Sequence, residues 1–220
     1  KKRPHLTILA VGDQSVIEPL VRESEPYRSG RLVIKHASEV VEMDERPQSA
    51  LRNKRDSSMR VAINCVKEGL ADSCMSAGNT GALMATARFV LKMLPGIERP
   101  AICTSIPSMV NDHVHMLDLG ANVDTTEEHL YQFALMGSLL ASVINDQEAP
   151  KVALLNIGEE AIKGNEQIRN AAPLLEADKQ LNYIGFVEGD GIFFDDVDVI
   201  VSDGFVGNVA LKTMEGTAKM

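Results

Sequence analysis

The 220-residue sequence has no tryptophan, only three tyrosines and six phenylalanines, and three cysteines. So few aromatic rings leave little for stacking bases, and a net charge of −9 with no overall basic excess excludes a non-specific nucleic-acid binder. An odd number of cysteines (Cys65, Cys74, Cys103) without a C-x-x-C pair argues against both a disulfide framework and a zinc site. The three thiols are expected to be small buried hydrophobes. There is no apolar run of about 18 residues to span a bilayer, and "KKRPHLTILAVGD" lacks a signal-peptide core and cleavage pattern, so a cytoplasmic location is expected.

What is present suits a folded globular chain: 45% of residues are hydrophobic and 24% charged. Apolar, mostly β-branched runs of strand length stand at 6–11, 31–37, 72–76, 101–106, 113–119, 151–156, 181–187 and 197–202. Helical patterns lie between them at 14–23, 48–69, 80–93, 126–145 and 165–177, with one opening near 207. Alternating strand and helix predicts a single α/β domain over 1–220, with a mostly parallel sheet and helices on both faces. The pair 101–106 and 113–119 is joined too closely for a crossover helix and predicts a hairpin. The last helix is unfinished at Met220, which reads as a fragment.

The stretch "CMSAGNTGALMATA" (74–87) reads as a strand running through small residues into a helix, a hinge at which backbone N–H groups can approach an anion. Three further strand ends carry loops that combine glycine with Asn or Asp: "DLGAN" (118–122), "NIGEEAIKGNE" (156–166) and "DGFVGN" (203–208). In a doubly wound sheet such loops share one rim, where ligands bind. Neither a P-loop nor a complete dinucleotide fingerprint is present, since Gly78 and Gly81 lack a third glycine and a ribose-binding acid. The rim instead offers backbone donors, the amides of Asn79, Asn122, Asn156, Asn165 and Asn208, the cation Lys163, and the carboxylates Asp118, Glu159, Glu160 and Asp203. That set suits a small oxyanion and a polarised carbonyl.

Across nearly its whole length the sequence resembles the bacterial phosphate acyltransferases of phospholipid synthesis, the PlsX family. The matching stretches are "SSMRVA" (57–62), "VKEG" (66–69), "SAGNTGALM" (76–84), "GIERPA" (96–101), "LDLGANVD" (117–124), "QFALMGS" (132–138), "VALLNIGEE" (152–160), "KGNE" (163–166), "NYIGFVEG" (182–189) and "DGFVGNVALKTMEG" (203–216). The resemblance implies conversion of acyl-acyl carrier protein and inorganic phosphate to acyl phosphate and free carrier. It implies a three-layer α/β/α fold like the isocitrate and isopropylmalate dehydrogenases and related to phosphotransacetylases, no cofactor, a homodimer, and peripheral membrane association. Two alternatives are a phosphotransacetylase-like enzyme using acyl-coenzyme A and a non-catalytic carrier-protein adaptor. The family's opening D-x-M-G-G-D segment is absent before Lys1, and its helical hairpin and His-Gly segment would follow Met220.

For attack of phosphate on a thioester no covalent enzyme intermediate is required, so positioning and electrostatics are expected to carry the rate. Phosphate is assigned to the helix start at Asn79, Thr80 and Gly81, with the Asn79 amide as a further donor and Ser76 and Gly78 in the same hinge. Asn208 is a second candidate donor, and Lys163 is assigned to offset charge on phosphate or on the tetrahedral oxyanion. Asp118, Asn122, Asn156, Glu159, Asp203 and Gly207 complete the expected substrate-binding set, although Asp203 and Asn208 also suit a helix cap. Cys74 is better read as a buried strand residue than as a nucleophile, and His113 with His115 lacks a third metal ligand, so no metal is expected. "RPQSALRNKRDSSMR" (46–60) sets five cations against the single acid Asp56. At helical spacing Arg52, Lys54 and Arg55 would share an exposed face, with Met59, Ala62, Ile63 and Val66 buried, and dock the acidic carrier.

Overall fold

The computed structural model describes residues 5–220, and Lys1 to Pro4 of the expected domain lie outside the described residues. The described residues form two compact units, the first ending at Met93 and the second Leu94–Met220.

In the first unit, β1 (Ile8–Gly12) leads to α1 (Gln14–Val21) and the short α2 (Glu25–Arg28), and β2 (Leu32–His36) pairs parallel to β1. Three helices follow: α3 (Pro47–Asn53), α4 (Ser58–Lys67) and α5 (Thr80–Leu91). Val41, Ala50, Met59, Ile63, Ala82 and Val90 form their common core. The helix expected over 48–69 is therefore two helices. Asp56 turns its carboxylate to the backbone and hydroxyl of Ser38 (2.8 and 2.6 Å), and Ser57 caps α4 by accepting from Arg60 N, so the chain between them leaves the helical path. Segment 72–76, expected as a strand, joins no sheet. Cys74 is exposed and Met75 is 97% exposed, so neither contributes the buried face that would fix a strand.

The second unit is a three-layer α/β/α sandwich. Its strands are β3 (Cys103–Pro107), β4 (His113–Leu117), β5 (Lys151–Leu155), β6 (Asn182–Val187) and β7 (Val199–Val201), in the order β3-β4-β7-β5-β6. All neighbours pair in parallel except β3 with β4, the expected hairpin. Successive residues alternate between two cores. Leu117, Val152, Leu154, Val199 and Val201 face α6 (Glu127–Asn145) and α7 (Glu166–Ala177). Met116, Ala153, Leu155 and Ile200 face α8 (Gly191–Phe194) and α9 (Gly204–Thr217). Burial on both faces is why these strands read as unbroken apolar runs.

The α9 helix begins three residues before the expected position because Asp203 caps it, its Oδ1 accepting from Phe205 N and Val206 N at 2.9 Å. Its first turn lies hard against the loop after β4. A Cβ on Gly207 would stand 1.9 Å from the Asp118 carbonyl oxygen, whereas one on Gly216 would meet nothing within 4 Å. Gly207→Ala is expected to cost on the order of 3 kcal/mol in urea denaturation, because the atom it strikes is backbone. Gly216→Ala should be neutral or stabilising by about 0.5–1 kcal/mol. Equal midpoints for the two variants would show that the contact is not tight.

Candidate functional site

Strands β4, β7 and β5 are parallel neighbours, so the loops that leave their carboxyl ends at 118, 202 and 156 stand side by side on one rim of the second unit. The fourth expected loop, 76–82, belongs to the first unit.

In the loop after β4, Asp118 is fully buried and spends both carboxylate oxygens on the chain. Oδ1 accepts from Ile102 N (2.9 Å) and Ala121 N (3.1 Å), while Oδ2 accepts from Asn122 N (2.7 Å) and Asn122 Nδ2 (2.9 Å). The same Asn122 amide donates to the Pro100 carbonyl at 2.7 Å. Both groups expected to bind substrate are thus already committed, and they act here as the frame of the loop. The rest of that frame comes from "GIERP": Arg99 donates to the Asp124 carbonyl at 2.7 Å, and buried His129, at the start of α6, bonds Glu98 at 3.1 Å.

After β5, the buried Asn156 donates to the Gly158 carbonyl at 3.0 Å, folding the loop back on itself, and Asn165 caps α7 by accepting from Ile168 N at 2.9 Å. Lys163 is exposed on this loop and, among the described residues, has no carboxylate within 4.0 Å. Glu159 does not face an anion site: with Glu188, Asp190 and Asp195 it lines a recess of about 220 Å³ whose charged side chains are all acidic. The loop after β6 that supplies Glu188 and Asp190 was not among the expected rim loops, although "EGDG" (188–191) carries the same mixture of glycine and acid. Among the described residues no three His, Cys, Asp or Glu side chains group to hold a metal ion.

After β7, Asp203 is spent on the α9 cap, so it is a capping residue rather than a free ligand. Asn208, one turn further, is exposed beside Gly120, and its amide makes no hydrogen bond among the described residues. Of the expected amides and cations on this rim, Lys163 and Asn208 are left uncommitted; the exposed carboxylates Glu159 and Glu160, on the same loop as Lys163, likewise make no side-chain hydrogen bond or ion pair among the described residues.

In the first unit, Asn79 caps α5 by accepting from Ala82 N at 3.0 Å. Its amide donates to the carbonyls of Glu42 (3.2 Å), Met43 (3.1 Å) and Glu45 (2.8 Å). The expected free donor is therefore a positioning residue that ties α5 to segment 42–45. Gly78 N donates to Ser76 Oγ at 3.1 Å, while the exposed Thr80 and Gly81 start α5. A Cβ on Gly81 would come within 3.0 Å of Pro47 Cγ, so small size here also serves packing on α3.

The basic run does not form one face. Arg52 lies in the last turn of α3 and Arg55 in the turn after it, both exposed. Lys54 pairs with Glu45 at 2.6 Å and donates to the Val40 carbonyl. That hydrogen bond holds the Glu45 carboxyl below its usual range and raises the Lys54 ammonium above its own. Cys74 is exposed rather than a buried strand residue; partial burial raises its thiol, and stronger burial takes Cys103 to about 11. Neither shift favours a thiolate nucleophile.

Sequence comparison matches residues 1–220, the whole chain, to the family described as "Fatty acid synthesis protein". The chain belongs to that family. It is 60% identical over 220 residues to a phosphate acyltransferase of Methylococcus capsulatus (strain ATCC 33009 / NCIMB 11132 / Bath), covering 100% of this chain and 64% of that protein. It is 58% identical over 219 residues to a phosphate acyltransferase of Alcanivorax borkumensis, again covering 100% and 64%. The chain thus spans 64% of the length of these curated relatives. A branched-chain phosphotransacylase from Enterococcus faecalis V583 shares the fold, with a TM-score of 0.56 at 13% identity over 96% of this chain and 84% of that one.

Replacing Asn79 by Ala removes the cap and strands three carbonyls, and is expected to lower stability by about 2 kcal/mol; Asn79→Ser, which restores the cap alone, should recover about 1 kcal/mol. Urea midpoints check this. Unchanged stability combined with a raised phosphate requirement would return Asn79 to the role of ligand.

Proposed function

We propose that this chain transfers an acyl group from acyl carrier protein to inorganic phosphate, giving acyl phosphate and free carrier. The observation that carries the reading is the pairing, on loops after adjacent strands of one rim, of an uncommitted cation, Lys163, with an uncommitted amide, Asn208. The family and the phosphate acyltransferases to which the chain is similar support it.

In the reaction a phosphate oxygen attacks the thioester carbonyl carbon and forms the new C–O bond. The carbonyl electrons move onto oxygen, then return as the C–S bond breaks and the carrier leaves as its thiolate, which takes a proton from solvent. Phosphate is nucleophilic as it stands, so the protein's task is to orient two anionic centres and stabilise the oxyanion. Asn208 is suited to donate to that oxyanion and Lys163 to balance its charge. In the first unit, taken by itself, the exposed start of α5 at Thr80 and Gly81 is suited to bind an oxyanion through backbone N–H groups.

The acidic carrier calls for local positive charge on a chain of net charge −9, and exposed Arg52 and Arg55 supply it. The exposed face of α6, with Leu139 67%, Val143 81% and Ile144 56% exposed, supports a homodimer. No charged residue occurs from His129 to Asn145. Three free cysteines support a cytoplasmic location. Among the described residues no helix is long and apolar enough to cross a membrane, and this reading takes membrane association to be peripheral.

Trapping of acyl phosphate as the hydroxamate with hydroxylamine tests the reaction, run in parallel with acyl-carrier and acyl-coenzyme A thioesters. Product that depends on phosphate and on the carrier thioester is expected. Product from the coenzyme A thioester alone would make the chain phosphotransacetylase-like, and none from either would make it an adaptor. Lys163→Met should lower kcat about a hundredfold with KM for the carrier little changed; a KM effect alone would move Lys163 to docking. Reversing Arg52 and Arg55 to Glu should slow carrier association and flatten its salt dependence while sparing a small uncharged thioester. Carrier kinetics indifferent to that reversal would place docking elsewhere.

A further inference from the structure

Below the rim, on the α8–α9 face of the second unit's sheet, lies an apolar groove of about 1440 Å³. Its mouth is polar and belongs to the rim, where Asn156, Asn165, Ser202 and Asp203 line it. From there it follows α9 towards the opposite edge of the sheet. Ile106 and Leu155 lie on the sheet side, Val206, Val209 and Met214 on the helix side, and Met109 and Thr217 at the far end. The fourteen residues of α9 give it a length of about 20 Å.

We infer that this groove seats the hydrocarbon chain of the acyl substrate, with its thioester end at Asn156 and Asp203; the inference rests on the acyl-transfer reading above. Three features select a single aliphatic chain over other occupants. Apolar side chains that would otherwise face water line the groove, among them Phe205 (62% exposed), Val209 (51%) and Met109 (78%). Among the described residues no lysine or arginine lines it, and its charged groups are Glu188, Asp203 and Glu215, which repel an acidic protein surface or an anionic bilayer. It opens on the rim at Asn156, Gly164 and Asn165, on the loop that carries Lys163, so a chain lying in it brings its carbonyl to that loop. Methionines at 109 and 214 give the wall the adaptability that a flexible chain needs.

The test is displacement of fluorescent cis-parinaric acid from the 220-residue protein by saturated fatty acids from octanoate to palmitate. Affinity should rise roughly three- to fourfold per added methylene and level off once the groove is full. Val209→Asp, which sets a charge on the wall, should weaken palmitate at least tenfold. Thr213→Trp, at an exposed position well along α9, should move the plateau to shorter chains. Circular dichroism establishes that both variants are folded. Affinity that ignores chain length, or ignores both substitutions in folded protein, overturns the inference. So does probe exclusion that grows with protein concentration as the chain self-associates, since a second copy would then occupy the groove. Retained acyl phosphate formation alongside such a result would leave the reaction standing and remove only the groove; chain-length-dependent binding with no acyl phosphate would do the reverse.

Discussion

The second unit's rim depends on one buried carboxylate. Asp118 gathers four N–H groups from two segments of chain, the residue before β3 and the loop after β4, where Asn122 contributes both its backbone and its side chain. A buried charge is tolerable only when such bonds replace its water, and each donor left unpaired by its loss would cost about 1–3 kcal/mol. The backbone of the same residue bonds Ser202 twice, through N–H to the Ser202 carbonyl at 3.0 Å and through its own carbonyl from Ser202 Oγ at 3.2 Å. Gly207 then brings α9 down onto that carbonyl, and Asn208 comes to stand over Gly120. The position of a free amide on the rim thus follows from a carboxylate whose four hydrogen bonds all come from the chain itself.

The polar rim residues divide accordingly into builders and presenters. Asp118, Asn122, Asn156, Asn165 and Asp203 close loops or cap helices, each through a side-chain hydrogen bond to the protein's own backbone. Lys163 and Asn208 are presented to solvent from those braced loops. An arrangement of this kind limits the reorganisation needed when charge develops, which is where electrostatic stabilisation gains its effect. The acidic recess at Glu159, Glu188, Asp190 and Asp195 disfavours anions on its side, and Lys163, on the same loop as Glu159, carries the opposite charge.

The sheet was legible because Val152, Leu154, Val199 and Val201 are buried on one face while Ala153, Leu155 and Ile200 are buried on the other, which leaves unbroken apolar runs in the sequence. The hairpin of β3 and β4 was legible from the shortness of its link. Segment 72–76 misled because its composition resembles a strand, while a strand also needs a partner and a buried face. The break at 54–57 was hidden because it rests on Asp56 bonding Ser38, 18 residues away, which periodicity does not register. The asparagines show the same limit at the site. Whether Asn79 donates to a ligand or to the carbonyls of residues 42–45 is decided by contacts more than thirty residues distant. The groove was missed because Val206, Val209 and Met214 recur at helical spacing, the pattern of an ordinary buried helix face, whereas Val206 and Val209 are in fact exposed.

In the reaction proposed above, a braced rim that shows no activated nucleophile among the described residues has phosphate attack the thioester directly, with no acyl group residing on the protein. Rapid-quench mixing of excess protein with acyl-labelled carrier thioester, in the absence and then in the presence of phosphate, measures this. Without phosphate, carrier thiol should not appear above slow hydrolysis and no label should remain on the denatured chain; adding phosphate should release thiol and acyl phosphate in equal amounts. A stoichiometric burst of thiol without phosphate, with label held on the chain, would contradict direct attack.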